Sequence, residues 1–406
     1  MLRKIAPCFF AIVIDALGFG LVYPVMAAIF TATHSPVLTA DVSLATRHFY
    51  LGVSYMLYPL CMFFGASFMG DLSDNWGRKK VLLVCMLGIT ISFGLMAMAV
   101  VWSSLTLLFL GRALSGLMAG SQPIAQASIA DLSTPETKAV NMSFIALSYS
   151  FGAVLGPLIG GVMSDQALLR WFNFSTPFAV AALLAAISYS WLWFGFKETS
   201  LIKSRKKISL LRPIQIFIAA FNHPTVRYLT IVFLLMQIGF SVYFQFIIIY
   251  MQSAYNYSNW QMGAFQGMLG LGFALGLLVG MPLALKYFSV KRIATMAIAL
   301  TGLGQLIVAV IPSASLQWLI AIFIALFDIM GFSAMLTLFS NAVDEKSQGW
   351  VMGITGGITA LGAGVASLLA GLLAAFNLML PLIIAVCLIL LGCFLLWFWK
   401  QKLETI

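Results

Sequence analysis

The stretch that decides the fold is Gly70-Asp71-Leu72-Ser73-Asp74-Asn75-Trp76-Gly77-Arg78-Lys79-Lys80. Two acids and three bases crowd into eleven residues, and apolar runs lie on either side, at 48–69 and 80–102. A run of roughly 20 apolar residues is what an α-helix needs to cross a hydrocarbon core of about 30 Å. Lipid offers no partner for an unpaired backbone group, so such runs are read as helices and the charged stretch between them as a loop outside the membrane.

Working outward, the same pattern recurs along all 406 residues, with 62% of them hydrophobic, 8% charged and a mean hydropathy of +1.03. Twelve spans are predicted: 5–30, 48–69, 80–102, 105–129, 141–164, 175–196, 227–252, 261–285, 291–311, 315–340, 348–373 and 378–399. The runs are unbroken, whereas a transmembrane barrel shows period-two alternation over about ten residues. The expected fold class is therefore all-α integral membrane. The first span follows Arg3 and Lys4 as a signal peptide would, but it is too long and carries Asp15, which reads as an uncleaved helix. Of the 22 Lys and Arg, all but Arg47, Arg170 and Arg112 fall on one side if the N terminus starts in the cytoplasm. By the positive-inside rule both termini are then cytoplasmic. The net charge of +10 is thus topological and gives no support to nucleic-acid binding. The five cysteines form no Cys-x-x-Cys or Cys/His cluster, so neither a metal centre nor a disulfide framework is expected. A phosphate-binding Gly-x-x-x-x-Gly-Lys-Ser/Thr loop is missing, which argues against an ATP-powered pump, and no cofactor is expected.

Residues 197–226 interrupt the apolar pattern with a basic linker that includes Lys203, Arg205, Lys206 and Lys207. Within it Ile208–Phe221 reads as an amphipathic helix on the cytoplasmic surface. This divides the chain into a first six-span half, 1–196, and a second, 227–406. A shift of 210 residues lays Ser133–Met163 over Val343–Leu373, with Met142/Met352, Gly152/Gly362, Ala153/Ala363, Leu158/Leu368 and Gly161/Gly371 coinciding. Duplicated halves imply a substrate site between them near the midplane.

Three charges lie inside predicted spans: Asp15, Arg112 and Asp328. A charge in the bilayer is costly and is retained for ion pairing, proton handling or substrate binding. At 1.5 Å of rise per residue, Asp15 lies about 15 Å and Arg112 about 11 Å into their spans, so the two can meet near mid-membrane. The pair reads either as a proton switch, in which protonation of Asp15 releases Arg112, or as a permanent structural ion pair. Asp328 lies about 20 Å into span ten with no base at matching depth. It reads as a second proton site, a partner for a cationic substrate, or a neutral acid bonded to Gln or Ser.

Gly70, Leu72, Asp74, Gly77, Arg78 and Lys79 match the cytoplasmic signature Gly-x-Leu-x-Asp-x-x-Gly-Arg-Lys, and here the chain resembles the major facilitator superfamily. The resemblance implies twelve helices in two pseudo-symmetric six-helix bundles, and it makes Gly70, Asp74, Gly77, Arg78 and Lys79 a cytoplasmic gate. Asp74 is then expected to face the start of span eleven, near 348–351. The equivalent loop of the second half, 286–292, keeps bases without the acid and glycines, so the gate is read as asymmetric. Span five carries Gly152-x-x-x-Gly156-Pro157-x-x-Gly160-Gly161, similar to the signature of superfamily exporters that exchange substrate for protons. Glycines four apart let helices approach closely, and Pro157 weakens the backbone ladder. Span one, Asp15-Ala-Leu-Gly18-Phe-Gly20-Leu-Val-Tyr-Pro24, and the span-four segment Arg112-Ala-Leu-Ser-Gly116-Leu-Met-Ala-Gly120 resemble the tetracycline-exporter branch of drug:proton antiporters. Ala27 stands where that branch often has a second proline. The resemblance also places Gln122, Gln126, Tyr149, Gln237, Tyr243 and Gln245 in spans that contribute to a central amphipathic cavity.

The leading reading is a monomeric antiporter in the bacterial inner membrane, exporting a small amphipathic organic compound in exchange for protons. A proton-coupled importer of an amino acid, carboxylate or siderophore is the alternative, and a transporter-like receptor or scaffold is a third reading. The sequence shows no nucleophile, base and oxyanion constellation, so an enzyme is not expected.

Overall fold

A computed structural model of the chain describes residues 2–32, 34–199, 209, 211–344 and 347–399. The linker bases Lys203, Arg205, Lys206 and Lys207 and the predicted helix start at Ile208 lie outside these residues. Every regular element among the described residues is helical. In chain order they are α1 (Leu2–Thr31), α2 (Leu44–Trp76), α3 (Arg78–Val101), α4 (Leu105–Leu117), α5 (Ser121–Asp131), α6 (Pro135–Met163), α7 (Thr176–Gly195) and α8 (Arg212–Asn222). After these come α9 (Pro224–Tyr255), α10 (Asn259–Leu275), α11 (Met281–Leu285), α12 (Val290–Val310), α13 (Ala314–Asn341), α14 (Gln348–Phe376) and α15 (Leu380–Phe398). A π-helical turn, Gly276–Gly280, joins α10 to α11 so that the three form one rod, Asn259–Leu285.

Among the described residues, ten helices are long and apolar enough to cross a membrane. The two remaining predicted spans correspond to α4 with α5, and to α6. Span four, predicted as continuous, is broken at Met118–Gly120. There Ala119 N bonds Gly116 O at 3.1 Å and Ser121 N bonds Met118 O at 3.3 Å, tighter i→i+3 turns than the α-helix makes. Gly116 and Gly120 weaken the helix here, and neither position has room for a Cβ: Gly116 is pressed against the Tyr58 carbonyl and Gly120 against Met69.

The signature stretch is less of a loop than predicted. Helix α2 continues through Trp76, and the reversal into α3 is made by the single residue Gly77 at φ 105°. This conformation suits glycine. Any Cβ there would also meet the Glu198 carboxylate, which accepts Arg78 N at 2.8 Å and Lys79 N at 3.2 Å and so caps α3.

Helix α8 begins at Arg212 with Pro213 in its first turn, later than Ile208, since proline is preorganised to start a helix. It packs on α2, α9 and α14.

The two halves meet along two seams, α6 against α10 and α2 against α14. Each is closed by a pair of glycines. A Cβ on Gly161 would come 2.7 Å from Gly263 Cα, and one on Gly52 would come 3.1 Å from Gly371 Cα. Gly161 and Gly371 are positions matched by the 210-residue repeat, so the duplication is visible as equivalent contacts in the two halves.

Candidate proton and substrate site

The span-five glycines find their partner in α1. Gly152, Gly156 and Gly160 lie over the carbonyls of Val13, Leu17 and Leu21; a Cβ at Gly152 or Gly160 would stand 2.5 Å from that oxygen. In return, a Cβ on Gly20 would meet Pro157 Cδ at 2.7 Å. The helix carrying Asp15 is therefore held by a ladder at four-residue spacing, while Gly161 faces α10.

Asp15 is half-buried. Ser121 Oγ is buried without a hydrogen-bond partner on α5, which packs on α1, and Tyr58 and Tyr149 are on α2 and α6, which also pack on α1. Arg112 is buried, at 1% exposure. Its Nε donates to Ser54 O at 3.0 Å and its guanidinium lies 5.1 Å from the centroid of the Tyr58 ring. Asp15 and Arg112, both described, do not form an ion pair within 4.0 Å; Tyr58, under the guanidinium, is on α2, which packs on both α1 and α4. The depth estimate brought the charges to the same level, but the guanidinium is turned onto Ser54 O and the Tyr58 ring of α2 instead.

Sequence reasoning missed this aromatic enclosure. Tyr55 Oη donates to Tyr23 O at 2.6 Å, and Tyr23 packs on Tyr55 at 4.9 Å, on Phe19 at 5.1 Å and on Phe244 of the second half at 5.2 Å. The spacing of Tyr55 and Tyr58, one helical turn apart in span two, was the signal available.

Asp328 stands apart from this cluster, on α13, which packs on α9, α10, α12 and α14. It is 4% exposed, and Oδ1 lacks a hydrogen-bond partner. Of the six expected cavity residues, Gln122 and Gln126 line a cavity of about 320 Å³ between α2, α5, α8 and α14. Tyr149 stands near Asp15 instead. Gln237, Tyr243 and Gln245 are buried on α9: Gln237 is against Gly362, and Gln245 Nε2 donates to Ala363 O at 3.4 Å.

At the end of α2, Arg78 pairs with Asp74 at 2.8 Å and with Asp131 at 3.5 Å, and donates to Ser73 Oγ at 2.7 Å. Lys79 Nζ donates to Trp193 O at 2.8 Å. In the second half, Lys291 makes the comparable bond to Trp399 O, so the bases of both loops anchor the last helix of their half. Asp74 lines a cleft of about 270 Å³ that also contains Gly349, at the start of α14. Gly70 has open space where a Cβ would be. Asp71, Asp131, Glu198 and Arg212 were not singled out from the sequence. They are charges at helix ends, where spacing alone does not reveal a partner.

The opposite face of the molecule is tied across the halves. Thr31 Oγ1 donates to Gln252 Oε1 at 2.5 Å, Asn259 Nδ2 to Ser164 O at 3.0 Å, and Trp260 N to Asp165 Oδ2 at 3.2 Å.

Paired helical halves, a cavity between them and charges at membrane depth define a membrane transport protein. The chain belongs to the Major Facilitator Superfamily, whose sequence profile matches residues 8–355. It is 28% identical over 354 residues to the tetracycline resistance protein, class C, of Escherichia coli, covering 86% of this chain and 84% of that protein. It is 25% identical over 408 residues to the quinolone resistance protein NorA of Staphylococcus aureus (strain COL), covering 99% of this chain and 97% of that protein. Its fold matches the crystal structure of a D-xylose-proton symporter with a TM-score of 0.77 at 14% identity, over 99% of this chain and 98% of that one.

Proposed function

We propose that the chain is a proton-coupled antiporter that exports a small amphipathic organic compound from the cytoplasm. It works as a monomer in the bacterial inner membrane with both termini inside, and the halves 1–196 and 227–406 move about the central cavity. The observation that carries the proposal is that Asp15 and Arg112, on two helices that both pack on α2, are not paired with each other, the guanidinium being held by Ser54 O and the Tyr58 ring. A carboxylate so placed can hold a proton in one state and turn toward the guanidinium or a cationic substrate in another, which links proton occupancy to conformation. The glycine ladder of α6 on α1 supports the same reading, because movement of α6 carries Asp15 with it. The curated relatives, named for tetracycline and quinolone resistance, supply the substrate class. Asp328 is a second proton or cation site in the other half.

With the far face tied and the cavity on the linker side, substrate is collected from the cytoplasm. Asp74, Arg78 and Lys79 with Gly70 and Gly77 form the gate that closes that side.

The test is uptake of tetracycline into proteoliposomes holding the full chain under an imposed pH gradient. An acidic lumen should accelerate uptake, since protons leaving drive the drug in. Acceleration by an acidic medium instead would overturn antiport in favour of the importer.

A further inference from the structure

We propose that the linker helix α8 is a wall of the substrate cavity, and that Ile216 and Phe217 select by size what reaches Gln122 and Gln126. The proposal rests on the transport reading for its purpose, though its geometry stands independently.

Pro213, Ile216, Phe217 and Ala220 follow the i, i+3, i+4, i+7 spacing of one helix face, and Pro213 and Ala220 are buried. That face turns into the protein. Pro213, Ile216 and Phe217 line the 320 Å³ cavity together with Gln122, Gln126 and Met62. Such a volume suits a drug-sized organic molecule, and apolar walls with a few amides suit an amphipathic one. Ile216 also lines the outer cleft of about 270 Å³ beside Asp71, Asp74 and Arg78. Its side chain therefore stands between the protein surface and the cavity. Gly353 of α14 leaves space for it: a Cβ there would meet Ile216 Cδ1 at 3.6 Å.

An ion pair fixes the start of the wall. Arg212, 42% exposed, donates to Asp71, which is 7% exposed at the end of α2. Neither residue belongs to the gate signature. The bond ties the linker to the helix that carries the gate, so movement of α2 takes the wall with it.

The test uses the full chain in inside-out membrane vesicles, with its five native cysteines replaced and Gln126→Cys introduced. A small sulfonated methanethiosulfonate and the bulkier fluorescein-maleimide report access from the linker side without requiring transport. Arg212→Gln and Asp71→Asn should each speed labelling about fivefold, the change that accompanies loss of roughly 1 kcal/mol. The exchange Asp71→Arg with Arg212→Asp should return the parent rate. Ile216→Ala with Phe217→Ala should speed the bulky reagent more than the small one. Amide hydrogen exchange over 212–222 in the cysteine-containing chain provides a second reading, faster in both single variants and restored by the exchange. Unchanged labelling and hydrogen exchange in the single variants, an exchange that stays fast, or equal gains for both reagents would each overturn the wall. Loss of tetracycline transport in the parent chain would instead count against the transport reading and leave the labelling result to decide the wall.

Discussion

Asp15 shows how much of a residue's role depends on the helix that carries it. It stands on a helix whose backbone is covered by Gly152, Gly156 and Gly160 and against which the helices of Tyr58, Ser121 and Tyr149 also pack. If it carries the coupling proton, Asp15→Asn should reduce gradient-driven tetracycline uptake to the passive leak, because the amide keeps the size but cannot exchange a proton. Counterflow of tetracycline without a gradient should persist, and parental uphill transport by the variant would remove Asp15 from the mechanism. The sequence made the three intramembrane charges legible, because uncharged surroundings made them stand out. It did not show that Arg112 bonds Ser54 O and stacks on Tyr58, since these contacts join residues 58 and 54 positions apart in the chain.

At the scale of elements, close approach between helices replaces the hydrophobic drive that lipid removes. The contact of α6 on α1 depends on hydrogen in place of a side chain at three successive turns. Gly156→Leu should overfill this contact and destabilise the packed state by roughly 1–3 kcal/mol. The measurable result is loss of exchange, with tryptophan fluorescence and thermal melting used to read the packing cost. Gly70→Ala is the contrast: beyond its own helix nothing lies within 4 Å of the added methyl, so melting should match the parent. Both glycines belong to recognisable motifs, and the sequence does not distinguish the crowded one from the open one. The helix break at Met118–Gly120 was hidden for a similar reason, because apolar composition continues through it.

For the whole molecule, the two faces differ. Seams α6–α10 and α2–α14, with the bonds from Asn259 to Ser164 and from Trp260 to Asp165, close the far side, while the cavity and the cleft lie toward the linker. Alternating exchange requires the far side to part. A disulfide between Ser164→Cys and Asn259→Cys should stop tetracycline exchange in proteoliposomes, and reductant should restore it. Exchange that continues with the disulfide formed would show that this seam does not open. The partners across it are 95 residues apart in the chain and carry no pattern that announces them.

The sequence by itself determined that this chain lies in a membrane, how many times it crosses, which loops carry the positive charge and which family it resembles. These properties follow from run length, charge placement and short motifs, which are local and additive along the chain. Only the tertiary structure decided that Arg112 turns onto Tyr58 rather than pairing with Asp15, that α6 closes on α1, and that the linker helix turns its apolar face into the cavity. These depend on helix rotation and on which helices meet. A rotation of one residue's 100° leaves the hydropathy of a span unchanged but points its side chains toward different neighbours.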